Sequence, residues 1–227
     1  MNKHIAIDGP AGAGKSTIAK AVAGKLGLIY VDTGAMYRAL SVYFLRLGLA
    51  AEDEEGITRA VADAQVTIEY RDGSQQVILN GENVTPFLRQ EEVGKMASAS
   101  SVYGPVRTKM TALQQQLARE KDVVMDGRDI GTVVLPDAFL KLYLTASSEV
   151  RAKRRFEELT AKGETPDLAQ LQKEIEERDF RDMHRDIAPL KQAEDAVLLD
   201  TSYMGIKEVT DAVMDLYREK EKAGFFR

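Results

Sequence analysis

The sequence predicts an α/β protein built on a parallel sheet flanked by helices, and three observations carry that prediction. Five short apolar runs of β character are spread through its 227 residues, each is followed by a helix-compatible stretch, and the first strand–helix junction holds a Gly-rich Gly–Lys–Ser motif. Near-continuous apolar runs suit strands covered on both faces. Repeated strand–helix order then gives right-handed crossovers on a parallel sheet.

The strands are expected at 4–8, 28–32, 123–126, 140–144 and 196–200. The first helix is expected over 14–26, where Ile18, Ala19, Val22 and Leu26 recur at helical spacing. Further helices fit 35–47, with Thr33 as a cap, then 148–159 and 205–217. A long helix-compatible stretch begins near Gly104-Pro105. Residues 66–84 alternate with period two around Asp72-Gly73, which signals a small antiparallel insert. Residues 151–191 hold six of the sixteen arginines and are broken at Gly163-Glu164-Thr165-Pro166. Four strands end in aspartate, at Asp8, Asp32, Asp126 and Asp200. Ligands of open α/β sheets bind beyond strand carboxyl ends, so these carboxylates either line a cleft or serve as turns and caps; for Asp200 the turn reading is preferred.

Composition narrows the function. A net charge of −5 argues against a general binder of nucleic acid or anionic membrane, while permitting a local basic pocket. Zero cysteines exclude disulfides, thiolate zinc sites and cysteine nucleophiles, and fit a reducing compartment; two histidines are too few for a multi-histidine metal centre. No apolar run approaches the ~18 residues of a membrane span. The N-terminus enters a strand at once, so no signal peptide is expected. These features lead to the expectation of a soluble, cytoplasmic protein, and the lack of an evident long exposed apolar stripe in the sequence to that of a monomer.

The chemistry starts at Gly9-Pro10-Ala11-Gly12-Ala13-Gly14-Lys15-Ser16, which matches G-x-x-x-x-G-K-[ST] between a strand and a helix. Such a loop turns its N–H groups toward phosphates, and the helix N-terminus adds partial positive charge. Lys15 is expected at the β- and γ-phosphates of ATP, and Ser16 on Mg²⁺. The motif leaves the acceptor of the γ-phosphoryl group open. The Asn-Lys-x-Asp signature of guanine switches is absent.

Arginines suggest the acceptor. Arg38 follows the second strand within Asp32-Thr33-Gly34-Ala35-Met36-Tyr37-Arg38, and Arg128 follows the third within Gly127-Arg128-Asp129. Arg178, Arg181, Asp182 and Arg185 fall at i, i+3, i+4 and i+7, one helix face. Arg107 lies just past Gly104-Pro105. Each has a plain alternative: the late arginines can pair with Glu174 and Glu177 on a solvated helix, and Arg38 can lie along a core helix. Together they suit a second phosphate, because bringing an anion to a triphosphate needs cationic forks. A phosphate acceptor, with a second pKa near about 6, is nucleophilic at neutral pH without a general base.

The motifs GPAGAGKST, DTGAMYR, VGKMASAS, PVR, DGRDIGTVV and ERDFRDMHRDIAPL, in that order, resemble the bacterial-type cytidylate kinase family over nearly the whole chain. The resemblance implies the P-loop nucleoside monophosphate kinase fold: a five-stranded parallel sheet flanked by helices, a small antiparallel insert and a helical lid. It implies one kinase unit over 1–227, with a core of 1–35, 105–150 and 190–222. The monophosphate-binding part would be about 36–104, and the lid and its flanks about 151–189. By similarity, Gly9 through Thr17 hold the ATP phosphates. Thr33, Arg107 and Arg185 face the base; Arg38 and Arg128 grip the acceptor phosphate, with Asp129 beside them. Ser98, Arg178 and Asp182 lie at the sugar. The catalytic set is Lys15, Arg154 and Arg181 on the transferring group, with Arg128 orienting the acceptor. The implied reaction is phosphoryl transfer from ATP, with Mg²⁺, to CMP or dCMP. Two rivals stay open: a kinase for another small acceptor such as UMP or an alcohol, which would need a base near Asp8, Asp32 or Asp129, and a nucleotide-dependent switch.

Overall fold

The structure, a computed structural model, describes residues 3–71 and 73–224. Its main sheet has five strands in the order β2-β6-β1-β7-β8: β2 (Ile29–Asp32), β6 (Val123–Gly127), β1 (Ile5–Asp8), β7 (Leu140–Thr145) and β8 (Val197–Asp200). The β1 strand pairs in parallel with β6 and β7, and β7 with β8. All five apolar runs became strands.

The chain forms two compact units, Met1–Tyr30 with Lys121–Arg227, and Val31–Glu120. In the first, Ile5, Ile7, Val124, Leu140, Leu142 and Leu144 pack with Ile18 and Val22 of α1 (Lys15–Leu26) and with Val209 and Val213 of α8 (Ile206–Gly224). Two helices, α6 (Ser148–Ala161) and α7 (Leu168–His184), complete this unit. Strands β2, β7 and β8 depart from uniform burial, and in β2 only Val31 is fully buried. Every second residue of β7 enters the core, while Lys141 points elsewhere and its Nζ donates to Asp195 Oδ1 at 2.8 Å. As the last strand of the sheet, β8 is largely exposed.

The second unit comprises α2 (Thr33–Arg46), α3 (Glu54–Asp63), β3 (Val66–Arg71), β4 (Ser74–Leu79), β5 (Glu82–Asn83), α4 (Glu91–Ser100) and α5 (Gly104–Glu120). Met36, Leu40 and Phe44 of α2 are wholly buried, as are Ile57 of α3 and Met110 of α5. The expected insert is present as β3 against β4, in register from Val66↔Leu79 to Arg71↔Ser74. Its expected turn falls on Asp72, outside the described residues, and on Gly73. The sequence reading missed β5, which pairs with β4 through Ile78↔Asn83 and Leu79↔Glu82.

Candidate active site

In the first unit the site grows from the carboxyl ends of β1 and β6. Adjacent pairing sets Asp8 opposite Gly127, so the loop after β1 and the segment after β6 leave the sheet side by side. The loop must turn at once. Gly9 adopts φ 146°, and a Cβ there would lie 1.9 Å from the Leu144 carbonyl oxygen, so only glycine fits. Gly14 precedes α1 with φ 84°, so the loop runs straight into a helix N-terminus, whose partial positive charge suits an anion.

Lys15 is buried, and its Nζ donates to the Pro10 carbonyl at 2.6 Å. Burial, followed by repulsion from Arg128, holds the Lys15 pKa well below the usual lysine range, with Arg178 adding to the repulsion. The Ser16 hydroxyl donates to Asp126 Oδ2 at 2.8 Å, and the Tyr30 hydroxyl to Asp126 Oδ1 at 2.9 Å. A serine oxygen beside a carboxylate is a hard-oxygen donor set of the kind Mg²⁺ takes. Asp126, one of the strand-end carboxylates expected either to line a cleft or to serve as a turn, stands here beside Ser16.

After β6, Arg128 Nε donates to Asp182 Oδ2 of α7 at 2.8 Å. Burial opposes ionisation of Asp182, but the charges of Arg128 and Arg178 outweigh it and hold its carboxyl below the ordinary range. Asp129 faces the Arg185 guanidinium at 3.7 Å. The expected single face of α7 is only partly realised. Asp182 is buried and Arg178 half-buried, whereas Arg181 is exposed. Arg185 leaves the helix altogether: it is the C-cap, with ψ 144°, and its Nε and Nη2 donate to the Ala188 carbonyl. A helical wheel carried one residue too far set it beside Arg181.

Arg154 donates through Nη2 to the Thr201 carbonyl at 2.7 Å, and the Thr201 hydroxyl reaches the Ala13 carbonyl of the phosphate loop at 3.3 Å. Arg151, which the sequence did not single out, is more central. It is buried; its Nε donates to the Ala146 carbonyl at 2.8 Å and Nη1 to the Ala11 carbonyl at 3.0 Å, while Nη2 pairs with Asp179 Oδ2 of α7 at 2.6 Å. One guanidinium thus ties the phosphate loop to the end of β7 and to α7. Asp8 is equally committed: Oδ1 and Oδ2 accept the N–H groups of Ile130 and Gly131 at 2.8 and 2.7 Å. Burial pushes its pKa up to about 6. Asp200 accepts from the Ser202 N–H and hydroxyl, the turn role preferred for it.

The second unit carries Thr33, Arg38, Ser98 and Arg107. Asp32, not Thr33, caps α2, accepting the Ala35 N–H at 2.9 Å; Thr33 is the first helical residue and is buried. Asp is a stronger N-cap than Thr, and its carboxylate reaches the Ala35 N–H, so the boundary moved by two residues. Arg38 folds back toward the same end: a Cβ on Gly34 would lie 3.4 Å from Arg38 Nη1 and 3.3 Å from Asp32 Oδ1. The Arg107 guanidinium lies over the Tyr37 ring at 5.9 Å, one turn along α2 from Thr33, and its Nη1 donates to the Ser101 carbonyl. Three neighbouring serines separate cleanly. Ser100 and Ser101 hydroxyls donate to the Met96 and Ser98 carbonyls, while Ser98 Oγ is buried with no partner among the described residues.

A profile described as cytidylate kinase matches residues 5–219. This chain belongs to the cytidylate kinase family. The cytidylate kinase of Caldicellulosiruptor saccharolyticus is 50% identical over 214 residues, covering 94% of this chain and 95% of that one. The cytidylate kinase of Desulfitobacterium hafniense is 48% identical over 226 residues, covering 100% and 97%. At the level of fold alone, a gluconokinase from Sinorhizobium meliloti is similar at TM-score 0.50 and 16% identity, covering 99% of this chain and 97% of its own. A Bacteroides thetaiotaomicron shikimate kinase is similar at TM-score 0.50 and 12% identity, covering 96% and 99%. The cytidylate kinase assignment thus rests on sequence, and the P-loop kinase fold on both. Among the described residues no helix is long and apolar enough to cross a membrane.

Proposed function

We propose that this cytidylate kinase family member catalyses ATP + CMP (or dCMP) ⇌ ADP + CDP (or dCDP) with the residues assembled above. One observation carries the assignment of roles: within one unit, the phosphate loop after β1 and Arg128 after β6 emerge from neighbouring strands. A donor triphosphate on the loop therefore lies next to a guanidinium suited to a second phosphate. An oxygen of the CMP phosphate attacks the γ-phosphorus, the bond to the β–γ bridging oxygen breaks, and ADP leaves. Lys15 offsets charge on the β- and γ-phosphates, and Arg128, braced by Asp182, orients the acceptor. Ser16 and Asp126 would hold Mg²⁺, which when bound neutralises phosphate charge.

The carboxylates favour a phosphate acceptor over an alcohol. Asp8 holds two backbone N–H groups, Asp32 caps α2 and Asp129 faces Arg185, so the three positions at which a base was sought are occupied with positioning. A phosphate dianion needs no base. The ribose and base contacts follow the same logic. In the second unit Ser98 has a buried hydroxyl with no partner among the described residues, suited to the ribose, and Thr33 and Arg107 carry donors for a cytosine edge; in the first unit Arg178 and Asp182 are assigned to the sugar and Arg185 to the base. Arg154 and Arg181 are assigned to the transferring phosphoryl group. The cysteine count of zero supports a cytoplasmic setting, and a monomer is part of the same proposal.

The test is ADP release from MgATP with CMP, dCMP, UMP, AMP or no acceptor. Rapid release with CMP and dCMP and little with AMP is expected. Equal release with and without every acceptor would overturn the assignment in favour of a hydrolase or switch.

A further inference from the structure

The antiparallel insert meets the start of α2 through one polar side chain. Gln75, near the tip of the β3–β4 hairpin, faces the backbone of Asp32 with its whole carboxamide. The Asp32 N–H donates to Gln75 Oε1 at 2.8 Å, and Gln75 Nε2 donates to the Asp32 carbonyl at 3.2 Å. This is the pattern by which a strand neighbour exchanges both of its hydrogen bonds with one residue, supplied here by a side chain. The Asp32 carboxylate is simultaneously held, accepting the Ala35 N–H. Asp32 is thus fixed at its N–H, its carbonyl and its side chain, and the next residue is Thr33, buried in the first turn of α2.

We propose that Gln75 is a positioning residue that sets the orientation of Thr33 and thereby the enzyme's choice of pyrimidine base. The inference rests on the base-facing role given above to Thr33 and Arg107. Gln75 itself is half-buried and lies beside exposed hairpin positions, so it is not part of the apolar anchor formed by Val77, Ile78 and Leu79 farther along β4. The anchor holds the hairpin on its unit; the amide at the other end holds the start of α2. Cytosine and uracil present opposite donor and acceptor patterns at the ring edge, so a hydroxyl that rotates or shifts by a fraction of an ångström loses its discrimination before it loses phosphate binding. Arg107 is tied to the same helix through Tyr37, so a loosened α2 start disturbs both base contacts together.

Gln75→Met keeps the side chain's length while removing both hydrogen bonds. Gln75→Glu keeps an acceptor for the Asp32 N–H but sets a carboxylate against the Asp32 carbonyl. Both are measured with CMP and UMP as acceptors, ATP varied separately, and a thermal melt on each variant. The expected result for both is a KM for CMP raised about tenfold, a CMP-over-UMP preference in kcat/KM reduced about fivefold or more, and kcat and the KM for ATP within about twofold of wild type. An unchanged KM for CMP and an unchanged preference in folded variants would overturn the role of Gln75. So would a loss shared equally by the KM for ATP, which marks general loosening. If wild-type protein shows no CMP-dependent ADP release, the kinase assignment itself falls and the selectivity claim with it; active wild type beside indifferent variants overturns only the Gln75 proposal.

Discussion

Replacing Arg151 with methionine would strand three oxygen acceptors at once. Its guanidinium serves the Ala11 carbonyl of the phosphate loop, the Ala146 carbonyl beyond β7 and the Asp179 carboxylate of α7, all around a side chain only 6% exposed. Methionine fills much of the volume but satisfies none of them. Removing one partner of a buried ion pair costs about 3–5 kcal/mol because the other charge stays buried. Asp179 is poorly placed to recover, since its Oδ1 already has no partner among the described residues. A cost of about 4 kcal/mol is a large share of the roughly 5–15 kcal/mol that holds a domain folded. It corresponds to a fall in Tm of about 8–16 °C for a chain of this size. The assay is urea and thermal unfolding of wild type, Arg151→Met, Asp179→Leu and the double variant. The double variant should recover half or more of the single loss, because it removes the stranded charge as well. The KM for ATP should rise in Arg151→Met, since the Ala11 carbonyl belongs to the phosphate loop. A single-variant cost below about 1 kcal/mol, or strictly additive losses, would refute the argument that one guanidinium braces loop and helix together.

Three further outcomes follow from the same geometry. In Arg128→Ala, kcat/KM for CMP should fall by about 10³ while the KM for ATP stays near wild type, and near-normal turnover would remove Arg128 from the acceptor site. Gly9→Ala should abolish ATP turnover and lower the unfolding midpoint sharply, because its Cβ would stand 1.9 Å from the Leu144 carbonyl oxygen; a stable, active variant would contradict the loop geometry. Asp8, with its pKa pushed up to about 6 by burial, is ionised at pH 7 at a cost of about 3 kcal/mol relative to the unfolded chain. That cost is relieved as pH falls from about 6 toward the ordinary carboxylate range. Wild-type stability measured against Asp8→Asn should therefore rise between pH 7 and pH 5, and a flat difference would exclude the raised pKa.

How much of this was legible in the sequence depends on how local each feature is. The strand runs landed within one residue of the observed strands because burial on a parallel sheet writes itself into consecutive residues. The phosphate loop was equally plain, since its glycines, lysine and serine act within a few positions. Helix ends were less so: Asp32 and Thr33 are both good caps, and only the structure shows which carboxylate or hydroxyl reaches Ala35. The third insert strand carried a signal that went unread, the Asn80-Gly81 pair, whose φ values of 48° and 84° are those of a tight hairpin turn. Arg151 and Gln75 had no such signal. An arginine in a charged helix and a glutamine in a polar hairpin look like solvated side chains, and their partners lie 140 and 43 residues away.

Electrostatics explains why so many arginines here are held by aspartates. Burial first, and then repulsion from Arg128 and Arg178, disfavour the Lys15 charge, so cations are crowded at this end of the sheet. Asp182 on Arg128 and Asp129 opposite Arg185 offset part of that repulsion and aim the guanidinium forks. Asp126 contributes near Lys15 as well, while its oxygens accept from Ser16 and Tyr30. These carboxylates are consumed in holding cations and hydroxyls, which leaves them poorly suited to taking a proton from an acceptor. A phosphate dianion brings a charge that guanidinium forks bind and a nucleophile already free of its proton. An alcohol or water would need a base to take its proton, which carboxylates committed to Arg128, Arg185 and Ser16 are poorly placed to supply.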